Sequence, residues 1–207
     1  MDKMEQIILS IDNNRIFKNA SVFEWFKKDN IILSNILNNL EWVRRWDAEV
    51  DFTKKQPLPY GVLYNKELDA FWLYKRADNT KGGKNWESRL NNKYSLGVWG
   101  HVEKKDLTKD TKNILDESLI REVEEEIDLK GSITGVEYVG LINSSENDVS
   151  KVHLGILYII STDAKKAIPI DWEIAFWEFV KRDEILERVK KDNGDLENWS
   201  KIILNNF

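Results

Sequence analysis

Arg121-Glu122-Val123-Glu124-Glu125-Glu126 closes a run of helical apolar spacing and follows Gly100-His101-Val102-Glu103. Residues three and four apart on a helix share a face, so Glu122, Glu125 and Glu126 project together. Like charges at that spacing repel and cost helix stability. A hard divalent cation held by oxygen ligands offsets that cost, which makes the segment a magnesium or manganese site with Arg121 as its neutralising neighbour. The opposing reading is a solvated face, since charged residues make up 32% of the chain and most Glu-rich helix faces simply meet water. The surroundings of the hexapeptide decide between the two.

Upstream, Lys93-Tyr94-Ser95-Leu96-Gly97-Val98-Trp99-Gly100-His101-Val102 reads as a strand and turn. The helix is expected to begin near Asn113, with Leu115, Leu119, Val123 and Ile127 as its buried stripe. The carboxylates would then stand opposite that stripe, facing a cleft.

This arrangement resembles the signature of the Nudix hydrolase family, G-x5-E-x7-R-E-U-x-E-E-x-G-U, where U is bulky and aliphatic. Arg121, Glu122, Val123, Glu125, Glu126 and Leu129 match the second half without a gap. Gly100 matches the first residue, and Asp106 stands where the family usually has Glu. Three departures are visible. The spacer runs from Leu107 to Ile120, fourteen residues in place of seven, in a loop where extra length costs little. Asp128 replaces the glycine that ends the helix, where a left-handed conformation is expected and Asp tolerates it better than most residues. Trp99 fills a position that is often glycine. None of these touches the expected metal ligands, and they read as subfamily variation.

The likeness extends further. Gln56 to Tyr64 and Ala70 to Arg76 look like the first Nudix hairpin, Lys151 to Tyr158 like a central strand, and Phe176 to Val180 like the closing strand before a final helix from Asp183. A nearer likeness is to longer Nudix proteins described only as predicted phosphoesterases, which share an N-terminal extension and an ending like Leu196-Glu197-Asn198-Trp199-Ser200. The resemblance implies an α+β fold, a Nudix-type α/β/α sandwich with a mixed central β-sheet. Residues 56–207 would form the Nudix domain and residues 1–55 a structured extension packing on it.

Elsewhere, Glu5 to Ile11 reads as a short strand with a turn at Asp12-Asn13-Asn14. Phe23, Phe26, Ile32, Leu33, Ile36, Leu37, Leu40 and Val43 give Val22 to Trp46 a helical spacing. Asp51 to Pro59 reads as a linker whose end is marked by two of the three prolines. Strands are expected between Ser132 and Ile160 and from Ile174 to Val180, and helices from Asp183 to Lys191 and Leu196 to Leu204.

Composition bounds the chemistry. A chain of 207 residues, 42% hydrophobic with nine tryptophans, is globular rather than disordered. The absence of cysteine excludes disulfides and thiolate-bound zinc and fits a reducing compartment. With only His101 and His153, a histidine-rich metal site is not expected. A net charge of −5 argues against binding nucleic-acid duplexes through their phosphates. The N-terminus lacks the pattern of a signal peptide, and the longest apolar run, Leu154 to Ile160, is too short to cross a bilayer. A cytoplasmic protein without membrane contact is expected.

By the resemblance, Glu125 and Glu126 are the central metal ligands, Glu122 a further ligand or orienter of the nucleophile, and Arg121 the ion-pair partner that fixes them. The Gly100 backbone would sit beside the metal, where a side chain would obstruct. About one to three magnesium ions fit such a set, with manganese as the substitute. The general base stays open between Glu173 and Glu146, both on loops. Arg76 and His101 are candidates for binding substrate phosphate; strand-end charge and structural turn histidine are the alternatives. His153 reads as a core residue, and Trp86, Trp99 and Trp172 as packing rather than base-stacking groups.

The leading reading is a magnesium-dependent pyrophosphohydrolase acting on a nucleoside diphosphate linked to another group, with a homodimer as the implied assembly. The rival is a Nudix-fold nucleotide-binding or regulatory module without hydrolysis. A prenyl-diphosphate isomerase ranks last, because the chain lacks the cysteine nucleophile it would need.

Overall fold

Asp29 shows why the helical spacing of the N-terminal segment does not yield one long helix. Its carboxylate accepts from the Ile31 and Ile32 amides at 2.9 and 3.1 Å and caps a helix that starts only at Asn30. Just before it, Trp25 stands at a φ of 73° and opens a strand. A left-handed bulky residue cannot continue a right-handed helix. The computed structural model describes residues 3–77, 91–107, 113–146, 148–170 and 174–206.

In chain order, β1 (Ile7–Leu9) and β2 (Ile11–Asp12) precede the helical turn α1 (Asn13–Ile16). Then come β3 (Trp25–Lys27), α2 (Asn30–Asn38), β4 (Trp42–Arg44) and α3 (Arg45–Ala48). Strands β5 (Lys54–Asn65), β6 (Ala70–Arg76), β7 (Lys93–Ser95) and β8 (Gly97–Trp99) lead to α4 (Ile114–Glu126). The remainder is β9 (Ile127–Leu129), β10 (Ile133–Asn143), α5 (Asp148–Val152), β11 (His153–Thr162), β12 (Ala167–Pro169), β13 (Ile174–Lys181), α6 (Ile185–Lys191), β14 (Asp195–Leu196) and α7 (Asn198–Asn206). This is the α+β class expected.

Two differences from the sequence reading are instructive. The expected linker ends in β5, which is buried along most of its length. Pro57 and Pro59 are two apart, so the donors they lack fall on one edge of the strand and leave the other edge intact. Asp128 lies within β9, opposite Ile168, and is not among the residues of positive φ. The helix therefore ends by passing directly into a strand, not through a left-handed cap.

The chain divides into two compact units, one formed by 1–60, 99–122 and 138–158, the other by 61–98, 123–137 and 159–207. In the first, β1 pairs antiparallel with β4, β2 with β5, and β3 with β10. Its core includes Ile8, Ile11, Ile32, Ile36 and Leu141, all fully buried. In the second, β6 pairs antiparallel with the end of β5, with β7 and with β13, while β14 joins β7 in parallel, so the sheet is mixed. Phe179 stands opposite Trp72 and Trp177 opposite Tyr74 in that pairing. The buried Trp72 indole donates to the Ala167 carbonyl at 3.0 Å, so its one polar atom is satisfied.

Helix α4 positions the glutamates. Leu115, Leu119, Val123 and Ile127 are all buried, as the apolar stripe requires. Between Asp106 and Arg121, Ile114 to Ile120 form the first turns of α4; residues 108–112 lie outside the described residues.

Candidate functional site

Within the first unit, Arg121 joins the two ends of the motif. Its Nε and Nη2 donate to the Asp106 carboxylate at 2.6 and 3.0 Å, a bidentate pair. Nη1 donates to Glu122 at 2.6 Å, and Nη2 also reaches the His101 carbonyl at 3.0 Å. Burial works against the guanidinium charge, yet Asp106 and Glu122 raise its affinity for the proton well above the ordinary value. Asp106 is buried and is itself held by a short turn: its carboxylate accepts from the Glu103 amide at 2.8 Å. The acid at this position thus serves as an anchor for Arg121.

Gly100 leaves room for the Glu122 side chain as it is placed. A Cβ built there would overlap the Glu122 carboxylate carbon and both of its oxygens. The glycine lets the half-buried Glu122 side chain lie against the backbone, where Arg121 fixes it.

The other two glutamates belong to the second unit by residue range but share helix α4. Glu125 is exposed and Glu126 half-buried. The Glu126 charge contributes to raising the phenol of buried Tyr74, whose shift burial dominates. The Glu126 carbonyl accepts from the Ile170 amide at 2.8 Å, which tethers the end of the helix. Arg76 ends β6 half-buried, with its guanidinium 5.8 Å from the centre of the Tyr74 ring. Of the two candidate bases, Glu146 is exposed beside Ser144, whose hydroxyl accepts its amide at 3.3 Å. Glu173 lies outside the described residues, as do Trp86 and Trp172.

The sequence reading did not find the partners of the two histidines. His101 Nε2 lies 2.8 Å from Gln56 Oε1 and 3.6 Å from Glu49 Oε1. His153 Nε2 lies 3.9 Å from the same Glu49 oxygen. The two rings stand edge to face with centroids 5.8 Å apart. Burial pushes the His153 imidazole down to about 3, with the charges of His101 and Arg45 acting in the same direction and Glu49 opposing. Burial opposes the Glu49 charge too, but His101, then His153 and Arg45, hold its carboxyl below the ordinary value. Glu49 follows α3, between the segment read for its apolar spacing and the expected linker, so no local pattern marked it.

No family model matches the chain. Protein YmaB of Bacillus subtilis (strain 168) is 32% identical over 216 residues, spanning 99% of this chain and 98% of that protein. The crystal structure of Tm1382, named as a candidate Nudix hydrolase, matches with a TM-score of 0.74 and 29% identity over 98% of this chain and 100% of its own. A NUDIX hydrolase from Alicyclobacillus acidocaldarius shares the fold at 10% identity, with a TM-score of 0.54 over 73% of this chain and 90% of that one. Among the described residues, no helix is long and apolar enough to cross a membrane.

Proposed function

The chain belongs to the Nudix family, and from that premise we propose that it is a magnesium-dependent pyrophosphohydrolase cleaving the diphosphate of a nucleotide-type substrate. The observation that carries this reading is the fit of the Glu122 carboxylate into the space beside Gly100, fixed by Arg121 and, through it, by Asp106. Holding a carboxylate in one place reduces the reorganisation needed when charge develops on the substrate.

The donor set suits a hard cation. Glu122, Glu125 and Glu126 offer only oxygens, and magnesium takes few carboxylates while keeping several waters. Glu125 and Glu126 would be the central ligands, with Glu122 and the Gly100 backbone completing the protein side; manganese would serve in its place. When bound, the ion lowers the pKa of a coordinated water and neutralises phosphoryl charge. Arg121 keeps Glu122 oriented. His101 contributes through its carbonyl, which receives Arg121, while its ring turns to Gln56 and Glu49. Arg76 is the candidate partner for a substrate phosphate, its planar fork suiting bidentate contact. The general base is one of two loop acids, Glu173 or Glu146. We assign the activity to the cytoplasm and leave the homodimer as the assembly to examine.

The test is release of phosphate or pyrophosphate from nucleoside di- and triphosphates, dinucleoside polyphosphates, nucleotide sugars and dinucleotide cofactors. Each is run with magnesium, with manganese and with chelator. Glu125→Gln and Glu126→Gln should each lower metal-dependent turnover by about 100-fold or more with the fold intact by circular dichroism. Near-full activity in both would sink the assignment. Silence across the panel from a folded protein that binds nucleotide would favour a non-hydrolytic binding module.

A further inference from the structure

We propose that Glu49, His101 and His153 form a second cation site, distinct from the glutamates of α4, that takes a borderline divalent transition-metal ion such as zinc. The inference does not rest on the hydrolase reading.

Three separate segments of one unit converge here: the residue after α3, the turn after β8 and the first residue of β11. Their ligand atoms all lie within 4.8 Å of one another, and all three residues are buried. Tetrahedral ligands at zinc bond lengths stand roughly 3.4 Å apart. The separations of 3.6 and 3.9 Å from Glu49 Oε1 to the two imidazole Nε2 atoms need only a small contraction to reach that.

The orientation of His153 is the telling feature. Its Nε2 is buried with no hydrogen-bond partner among the described residues and lies 3.9 Å from the Glu49 carboxylate. A neutral imidazole that turns its lone pair to that carboxylate sets two buried acceptors against each other. Such an arrangement is unfavourable unless a cation sits between them.

The neighbours extend the pattern. Lys55 Nζ donates to the His153 carbonyl at 3.3 Å and steadies the start of β11. Gln56 Oε1, 2.8 Å from His101 Nε2, is a further oxygen within reach, and its own Nε2 is buried without a partner among the described residues. A metal bound at His101 Nε2 would replace the contact between that nitrogen and Gln56 Oε1 and free the oxygen for the fourth position. Arg45 opposes the cation: its Nε lies 3.6 Å from Glu49 Oε1, so Glu49 has to supply the balancing negative charge. Two imidazoles and one carboxylate favour zinc, cobalt or iron over magnesium, whereas the all-oxygen set on α4 favours the reverse. Two histidines in the whole chain suffice when a buried Glu joins them.

The experiment uses the full chain carrying Glu125→Gln and Glu126→Gln, stripped with chelator and titrated with zinc or cobalt. Calorimetry reads stoichiometry, cobalt ligand-field absorption reads nitrogen ligation, and melting temperature reads the coupling to folding. We expect one ion per chain, an intense cobalt spectrum of low coordination number and a zinc-dependent rise in melting temperature. Adding His153→Gln or Glu49→Gln should weaken binding by at least tenfold, a loss that even outer-shell substitutions can produce, and should remove the spectrum. The near-isosteric Glu49→Gln decides the matter if the His153 variant does not fold. No stoichiometric binding, or binding unchanged in both variants, overturns the proposal. Because the readout is binding in a protein without the Glu125 and Glu126 carboxylates, failure here is separate from failure of the hydrolase assay.

Discussion

Asp106→Ala tests the anchor on which the α4 site is proposed to depend. The substitution removes three hydrogen bonds to one carboxylate: Arg121 Nε at 2.6 Å, Arg121 Nη2 at 3.0 Å and the Glu103 amide at 2.8 Å. The Asp106 side chain is 2% exposed and that of Arg121 16%. Breaking a buried pair by removing one partner costs about 3–5 kcal/mol, because the surviving charge stays desolvated. Arg121 retains Glu122 and reaches some water, so the low end applies, about 3 kcal/mol. For a chain of this size that corresponds to a fall of roughly 6–12 °C in melting temperature. Asp106→Asn keeps the shape and one acceptor and should cost about half as much. Urea denaturation and thermal melts read the loss, and turnover should fall alongside it as Arg121 ceases to fix Glu122. A loss below about 1 kcal/mol for the alanine variant would refute the view that this pair is a structural anchor.

Further outcomes follow from other contacts. Gly100→Ala should displace the Glu122 carboxylate by about an ångström and lower turnover by about 100-fold, measurable as kcat with circular dichroism as a folding control; the backbone there is not left-handed, so the effect is steric. Asp29→Ala removes the cap of α2 and should cost about 1 kcal/mol in urea denaturation. The Tyr94 phenol, raised to about 12 by burial and by its bond to Asp192, is above its ordinary value of 10. Its contribution is whole below pH 10 and lost as pH rises through 12, so the stability advantage of wild type over Tyr94→Phe should shrink across that window; a constant difference would contradict it. Leu119→Ala, in the buried stripe of α4, should cost about 2–5 kcal/mol, read by the same denaturation.

Local pattern was a good guide wherever one period governed a segment. The α4 stripe, the strand from Ile174 and the helices near Ile185 and Asn198 were legible because burial repeats along the chain at the spacing of the element. It failed where a single residue overrode the period, as Trp25 and Asp29 do in the N-terminal segment. It also failed at Pro57 and Pro59, whose linker composition is outweighed by the burial of β5.

The sequence by itself determined the α+β class, the helix carrying Glu122, Glu125 and Glu126, and the family, because those depend on neighbours a few residues apart and on one ordered motif. Only the tertiary structure decided what Asp106 does, what fills the space beside Gly100, and that Glu49 meets both histidines while Gln56 meets His101. Those contacts join residues distant in the chain. They are selected by strand pairing and by the need to satisfy buried polar groups, and neither leaves a period in the sequence to read.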